Sequence, residues 1–208
     1  SPTPIMKIIC IGRNYVAHAK ELGNEVPTEP VIFLKPSTAV LPLPGPFVIP
    51  SFSSDLHYEC EIVLRISKKV SCIDEVEAAL AYDAMTVGID FTARDVQQRL
   101  KDKGLPWEKA KAFDQSAIVG EWRSANEYKN KKDIHFCLYK NKELVQQGHT
   151  AAMINSFEAI ISHVSLYFTL EPGDLIFTGT PAGVGPVEPG DQLEGFLEDD
   201  SLFDILIN

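Results

Sequence analysis

The chain has 208 residues, a length that fits one folded domain. Apolar residues make up 45% and charged residues 23% of it, which is the balance of a folded chain rather than a disordered one. Nineteen Lys and Arg stand against 29 Asp and Glu, a net charge of −10, so we expect no nucleic-acid partner.

The sequence also excludes a membrane helix and a disulfide framework. The longest stretch without a charged residue, 36–54, contains five prolines, which remove backbone hydrogen bonds from a helix. The first residues of the sequence do not resemble a signal peptide, and residues 1–4 are interpreted as a short disordered leader or an expression remnant. The four cysteines are widely spaced and predict reduced, mostly buried thiols. We therefore predict a soluble cytoplasmic protein without a membrane partner.

The first half of the chain is predicted to alternate short strands with short helices. Apolar runs predict strands over 5–11, 31–34, 56–66 and 84–89. Helices are predicted over 14–22, 74–82 and 92–103, with Thr92 as the cap of the third and Gly23 and Gly104 as terminators. The proline-rich stretch after the second strand is expected to be a surface crossing or a sheet edge.

The second half is predicted to be mostly short strands. A hairpin is expected with strands over 134–139 and 144–147, followed by a helix that Asn155 or Ser156 caps. Turns at 171–174, 188–191 and 198–200 separate the remaining strands. Many short strands with few helices predict a β-rich α+β fold, a mixed β-sandwich or β-roll, in a single domain over 1–208.

Residues 55–66 divide into two different strand faces, because strand side chains alternate. One face is entirely apolar apart from a tyrosine hydroxyl and a thiol, and it is predicted to pack in the core: Leu56, Tyr58, Cys60, Ile62, Leu64 and Ile66. The other face begins with three acids and a histidine: Asp55, His57, Glu59 and Glu61.

The pair Glu59 and Glu61 is a candidate metal site. Their Cα atoms are expected about 6.6 Å apart, and carboxylates that close repel unless a cation or a proton lies between them. Asp90, at the end of the strand predicted over 84–89, is a candidate third ligand. Oxygen donors favour Mg²⁺, with Mn²⁺ or Ca²⁺ as substitutes. An ordinary water-facing strand remains the alternative at this point.

His18 and Glu21 are three residues apart on the first predicted helix and therefore share a face. A carboxylate beside an imidazole raises its basicity and selects its tautomer, as a general base requires. The alternative is a surface ion pair on a short amphipathic helix.

Further polar residues are candidates for binding an anion. Arg94, Gln97 and Lys101 share one helix face, which is either a substrate face or a solvated one. Lys111 is flanked by apolar residues, which indicates partial burial and a need for an anionic partner.

A glycine-rich segment, 178–185, follows the apolar run 175–177, and its backbone N–H groups could approach an anion. It lacks the Gly-Lys-Ser/Thr ending of a phosphate-binding P-loop. His149 and His163 are interpreted as structural residues.

Six segments, in this order, resemble the fumarylacetoacetate hydrolase superfamily, and most closely its small, acylpyruvase-like branch. They are GRNYVAHAKE (12–21), FLKPS (33–37), HYECE (57–61), DFTARDVQ (90–97), GLPW (104–107) with Lys111, and TGTP (178–181) with the glycines that follow. The resemblance covers residues 8–195.

The resemblance implies a mixed β-roll core in a homodimer. It implies Mg²⁺ or Mn²⁺ on three ligands, which are Glu59, Glu61 and Asp90. In such enzymes the helix that carries His18 and Glu21, here 14–22, is a lid over the substrate. The implied contacts to substrate and oxyanion are Lys111, Arg94, Gln97 and Thr180.

Three functions are compatible with these residues. The first is hydrolysis of the C–C bond of acylpyruvates, which are small anionic β-diketo acids, through a metal-stabilised pyruvate enolate, with oxaloacetate decarboxylation as a second activity. The second is isomerisation or decarboxylation of compounds of the 2-hydroxyhepta-2,4-diene-1,7-dioate type. The third is a metal-stabilised interaction domain without catalysis. The His-x-x-Glu helix favours the hydrolase.

Overall fold

The computed structural model describes residues 6–208. Its strands are β1 Lys7–Gly12, β2 Val31–Pro36, β3 Leu56–Tyr58, β4 Cys60–Ile66, β5 Tyr82–Asp90, β6 Thr92–Ala93, β7 Ala117–Val119, β8 Arg123–Ser124, β9 His135–Lys140, β10 Glu143–His149, β11 Leu175–Phe177, β12 Gly185–Pro186, β13 Gln192–Leu197 and β14 Asp200–Leu206. Its helices are α1 Val16–Glu21, α2 Glu75–Ala78, α3 Arg94–Asp102, α4 Glu108–Lys111 and α5 Phe157–Ser165. This content confirms the predicted β-rich α+β class. Within residues 6–208, no helix is both long and apolar enough to cross a bilayer.

The strands form three sheets. The largest has the order β2-β1-β11-β4-β5-β7, and β8 also pairs with β5. In it β1 and β11 run parallel, whereas the other neighbours run antiparallel. A four-stranded antiparallel sheet has the order β10-β9-β13-β14, and a small sheet has the order β12-β3-β6.

One hydrophobic core joins the large sheet to the four-stranded sheet. Ile62 of β4 and Val87 of β5 belong to the same buried cluster as Leu138 of β9 and Leu193 of β13. Burial of such side chains is the dominant stabilising term of the fold, about 1.5–3 kcal/mol for each large one. The two sheets therefore form the layers of the predicted sandwich.

The strand predicted over 56–66 is correct in its buried face but wrong in its continuity. All six residues of the apolar face are buried, as predicted: Leu56, Tyr58, Cys60, Ile62, Leu64 and Ile66. However, the chain breaks at Glu59, so β3 joins the small sheet and β4 joins the large one. The middle of the second face is not a water-facing surface either, since Glu59, Glu61 and Val63 are at most 5% exposed, whereas Asp55 at its start is partly exposed. Glu59 and Glu61 are consequently placed in the interior, at the junction of two sheets.

The helix predictions need correction at their ends. The helix predicted over 14–22 is shorter, because the buried side chain of Asn14 donates to two carbonyl groups outside the helix. The helix predicted over 74–82 is a single turn capped by Asp74, and Tyr82 already belongs to β5. Thr92 does not cap α3, because it lies in β6 with its hydroxyl in the polar interior.

The remaining element predictions are confirmed in outline. The hairpin turns at Asn141 and Lys142, and Ser156 caps α5 by accepting from the Ala159 N–H. The proline-rich segment crosses the sheet edges, with bridges from Val40 and Phe47 to other strands. The thiols are all free, but only Cys10 and Cys60 are buried, while Cys137 is partly exposed and Cys72 is exposed. The strand predicted from residue 5 and the leader predicted over 1–4 extend outside the described residues.

Candidate functional site

Three carboxylates converge at the break between β3 and β4. Cys60 pairs with Ile89, and the Asp90 N–H donates to the Glu59 carbonyl at 2.8 Å, so this register brings the end of β5 beside Glu59 and Glu61. One carboxylate oxygen from each of Glu59, Glu61 and Asp90 lies within 4.8 Å of the others, and all three residues are buried. This is a donor set that could hold one hard divalent cation.

Two cations balance part of this negative charge. Lys111 Nζ lies 2.9 Å from Asp90 Oδ2 and 3.2 Å from Glu59 Oε1, and an Arg94 nitrogen lies 2.6 Å from Glu59 Oε2. Burial alone raises the pKa of Glu59, but Lys111 and Arg94 outweigh it and hold that pKa well below its ordinary value. Burial likewise lowers the pKa of Lys111, but Asp90 and Glu59 outweigh it, so the net shift is upward. Lys111 is therefore buried and charged, as its apolar flanks and need for an anion predicted.

The carboxylates of Glu61 and Asp90 are less fully compensated by cations and hydrogen-bond donors. Glu61 Oε1 accepts the Gly179 N–H at 2.8 Å, yet burial and then the carboxylates of Asp90 and Glu59 raise the pKa of Glu61 well above its ordinary value. Asp90 Oδ1 is fully buried, and among residues 6–208 no donor reaches it with hydrogen-bond geometry, although Lys35 Nζ lies 2.8 Å away. A bound cation would relieve both conditions, because it replaces the proton on one carboxyl and supplies the other oxygen with a partner.

Lys35 is a site residue to which the sequence analysis assigned no role. Its side chain is buried in β2, and its Nζ donates to the carbonyls of Phe91, Lys111 and Ser116 while facing Asp90. The signal was present, since Lys35 is a lone charge at the end of an apolar strand. Only the tertiary fold shows that its partner is a carboxylate distant in sequence.

His18 and Glu21 lie over the same site on α1. His18 Nδ1 is 3.3 Å from Glu21 Oε2, and the histidine is buried although Glu21 is partly exposed. A small cavity of about 30 Å³ separates α1 from the acid cluster, with room for only a few water molecules. His18, Glu59, Lys111 and Thr180 line it together.

The face of α3 closes another side of this cavity. Arg94, Gln97 and Lys101 all line it, so this face borders the cavity, with Gln97 buried and Arg94 and Lys101 partly exposed. Arg94 donates to the Gln97 side-chain oxygen at 2.8 Å as well as to Glu59. His57 lies behind Arg94 and bonds to Asp55, so neither joins the acid cluster.

The glycine-rich segment binds carboxylates of the chain itself. Gly179 donates its N–H to Glu61, and Gly183 donates to both carboxylate oxygens of Glu21 at 3.0 and 3.2 Å. Between them, the Thr180 hydroxyl donates to the Cys60 carbonyl and accepts from Gln146 Nε2, each at 2.8 Å. Gln146 was not singled out by the sequence analysis, because a glutamine in a β-hairpin carries no distinctive signal.

Comparison with known proteins decides the family. The family profile described as "Fumarylacetoacetate (FAA) hydrolase C-terminal" matches residues 7–204. The chain belongs to this family. It is 41% identical over 200 residues to the oxaloacetate tautomerase YcgM of Escherichia coli strain K12, covering 96% of this chain and 91% of that one. It is 40% identical over 205 residues to a mitochondrial oxaloacetate decarboxylase of Dictyostelium discoideum, covering 97% and 94%.

Solved structures of this family share the fold. Fumarylpyruvate hydrolase from Pseudomonas aeruginosa, in complex with Mn²⁺ and pyruvate, has a TM-score of 0.91 and 34% identity, over 100% of this chain and 92% of that one. The relatives named here are enzymes, and a metal ion is part of at least one of their structures. The family resemblance inferred from the six motifs is thereby confirmed.

Proposed function

We propose that this chain catalyses the metal-dependent keto–enol interconversion of oxaloacetate. The observation that carries the proposal is the buried cluster in which Lys111 and Arg94 oppose three carboxylates beneath His18. Enolisation needs a base beside the carbon that loses a proton and positive charge where the enolate oxygen forms. Candidates for both lie around one cavity, and the names of the relatives indicate the substrate.

Glu59, Glu61 and Asp90 would hold the metal ion. We propose Mg²⁺, with Mn²⁺ or Ca²⁺ as substitutes, because the donors are all carboxylate oxygens. A bound ion supplies Lewis-acid binding of the 2-keto acid and stabilises the charge of its enolate.

The formal charges of the cluster match such a substrate. Three ionised carboxylates are opposed by three cations, Lys35, Lys111 and Arg94, so they sum to zero. A divalent ion leaves the site with two positive charges, which suits a substrate that carries two carboxylates. Because the site is buried, an uncompensated charge there is costly, and this balance favours a dianion over a monoanion.

The proton-transfer steps are assigned to His18. An Nδ1–H donated to Glu21 leaves the lone pair on Nε2, which takes the proton from the carbon next to the ketone. The same imidazolium then returns this proton to the enolate oxygen, so the enol forms without net change in the enzyme. Lys111 faces the developing oxyanion, while Arg94, Gln97 and Thr180 bind the remaining polar groups of the substrate.

The helix that carries His18 would act as a lid, as the resemblance implies. The cavity beside the acid cluster has only about 30 Å³ of free space, so we propose that α1 moves outward to admit a four-carbon dicarboxylate. The hydrogen bonds from Gly183 to Glu21 would hold α1 in the closed position.

Hydrolysis of acylpyruvates is the second candidate, favoured by the Pseudomonas relative with Mn²⁺ and pyruvate. His18 would then take a proton from water, and the hydroxide would attack the distal carbonyl of the substrate. Cleavage of the C–C bond gives pyruvate enolate, which loss of CO₂ from oxaloacetate also gives. The two cleavage reactions thus share pyruvate enolate, whereas tautomerisation forms the enolate of oxaloacetate itself. All three place the new negative charge on the oxygen of the 2-keto group and differ in the bond that breaks.

Parallel assays of one preparation distinguish these reactions. The decay of the enol absorbance of oxaloacetate measures tautomerisation, while released pyruvate measures decarboxylation or acetylpyruvate cleavage. With Mg²⁺, we expect the first to be fastest, to stop with EDTA, and to fall about 10²–10⁴-fold in His18→Ala. His163→Ala, a partly exposed histidine on α5, is the matched control and should keep full activity. An enol decay no faster than with Mg²⁺ alone would exclude the tautomerase, and rapid acetylpyruvate cleavage would then favour the hydrolase.

A further inference from the structure

A second group of metal-ligating side chains lies on the four-stranded sheet, outside the site described above. Asp133 precedes β9, His135 is the first residue of β9, and His149 is the last of β10. Their side chains are 62%, 52% and 39% exposed, respectively, so they are accessible to an ion from solution.

The strand pairing presents the two imidazoles together. His149 lies directly opposite His135, whose N–H and C=O bond instead to Glu198 on the other side. This is the arrangement of a non-hydrogen-bonded pair, in which cross-strand side chains approach most closely. The two rings stack at a centroid distance of 4.1 Å with an angle of 9° between their planes.

Both imidazoles direct the same nitrogen toward one carboxylate oxygen. Nε2 of His149 is 2.8 Å from Asp133 Oδ1, and Nε2 of His135 is 3.6 Å from it. One ligand atom from each of the three residues lies within 4.8 Å of the other two. Two nitrogen donors and one oxygen donor thus face a common point above the sheet.

We propose that Asp133, His135 and His149 bind a divalent metal ion of borderline softness, represented by Zn²⁺. Imidazole nitrogens with one carboxylate suit Zn²⁺, Ni²⁺ or Cu²⁺, whereas the all-oxygen cluster of the first site suits Mg²⁺. Three protein ligands leave the ion at least one further position for water. This assignment replaces the interpretation of His149 as a purely structural residue, and it does not depend on the proposed activity.

Calorimetric titration with Zn²⁺ in excess Mg²⁺ tests the proposal, because Mg²⁺ occupies the oxygen-only cluster. We expect one equivalent of Zn²⁺ to bind, and its affinity to fall by about tenfold or more in His149→Gln and in His135→Gln. Glu61→Gln and Cys72→Ser, which alter the acid cluster and the exposed thiol, should keep this equivalent, as should His163→Gln.

Ni²⁺ in place of Zn²⁺ should give the same pattern. Absence of a Zn²⁺ equivalent in the wild type would overturn the proposal, and so would its persistence in His149→Gln or its loss in Glu61→Gln or Cys72→Ser. Thermal melting of each variant without added metal checks the fold. The histidine and Cys72 substitutions lie at exposed or partly exposed positions, so their melting temperatures are expected to match the wild type. Glu61 is buried, so for Glu61→Gln the check is a single cooperative melting transition rather than an unchanged melting temperature.

Discussion

Replacement of Lys35 by Met tests whether a buried cation stabilises the acid cluster. Met keeps the length and apolar character of the side chain but leaves Asp90 Oδ1 without the ammonium 2.8 Å away. Loss of the hydrogen bonds from Lys35 to backbone carbonyls contributes less to the destabilisation. The Ser116 carbonyl still accepts from the Phe91 N–H, and the Lys111 carbonyl still accepts from the Ser116 hydroxyl. Loss of one partner of a buried ion pair costs about 3–5 kcal/mol in free energy of unfolding. For a chain of this size we expect a melting temperature about 6–20 °C lower in EDTA.

Mg²⁺ provides the decisive comparison in Lys35→Met. A cation held near Asp90 replaces the missing charge, so Mg²⁺ should raise the melting temperature of the variant more than that of the wild type. Lys101→Met is the matched control. Burial and then Arg13 and Arg94 lower the pKa of Lys101, which means that its surroundings disfavour its positive charge. Removal of this charge should therefore lower the free energy of unfolding by less than about 1 kcal/mol. A loss below about 1 kcal/mol for Lys35→Met, or one equal in EDTA and Mg²⁺, would refute the reasoning.

Three further substitutions test other parts of the site. The pKa of Glu61 is raised by burial and neighbouring carboxylates, so without metal the free energy of unfolding falls as pH rises above 4.5, the ordinary pKa of this carboxyl group. Glu61→Gln should flatten this pH dependence in EDTA melts and abolish the Mg²⁺-induced shift in melting temperature. Gly179→Ala places a Cβ 2.7 Å from the Cβ of Asn14, at a backbone φ of +108°. Urea unfolding should show this variant about 1–3 kcal/mol less stable than Gly190→Ala, where φ is also positive but no atom lies within 4 Å of the new Cβ. Equal stabilities of the two variants would contradict the contact. Glu21→Gln should lower kcat for enol decay about 10²-fold while leaving the Mg²⁺-induced melting shift intact, and an unchanged kcat would exclude a role for this carboxylate in orienting His18.

The acid cluster could be predicted from sequence because each member has a local signature. Glu59 and Glu61 share a face of an alternating run, and Asp90 ends an apolar strand. Alternation could not show that Glu59 marks a break between two sheets, since residues on both sides keep the same period. The three predicted acids do lie together and buried, so the alternative of a water-facing strand was wrong, while their role as metal ligands stays a prediction.

Long-range partners and element ends were harder to predict. Thr92 precedes a helical pattern and has a good capping side chain, but Lys111 Nζ binds its hydroxyl at 2.6 Å, and this tertiary contact outweighs capping. Lys35 and Asp90 are 55 positions apart, and no local rule pairs them. The homodimer and the cytoplasmic location stay predictions, and one of the relatives compared is named as mitochondrial.

The short segment from Gly179 to Gly183 connects the helix that covers the site with the acid cluster below it. One of its ends grips a carboxylate of the ion cluster, and the other grips the carboxylate that steadies the base on α1. In the proposed cycle, outward movement of α1 would break the hydrogen bonds from Gly183, and binding of an ion would change the surroundings of the hydrogen bond from Gly179. Entry of substrate and binding of the ion would therefore both act on the same five-residue stretch of backbone.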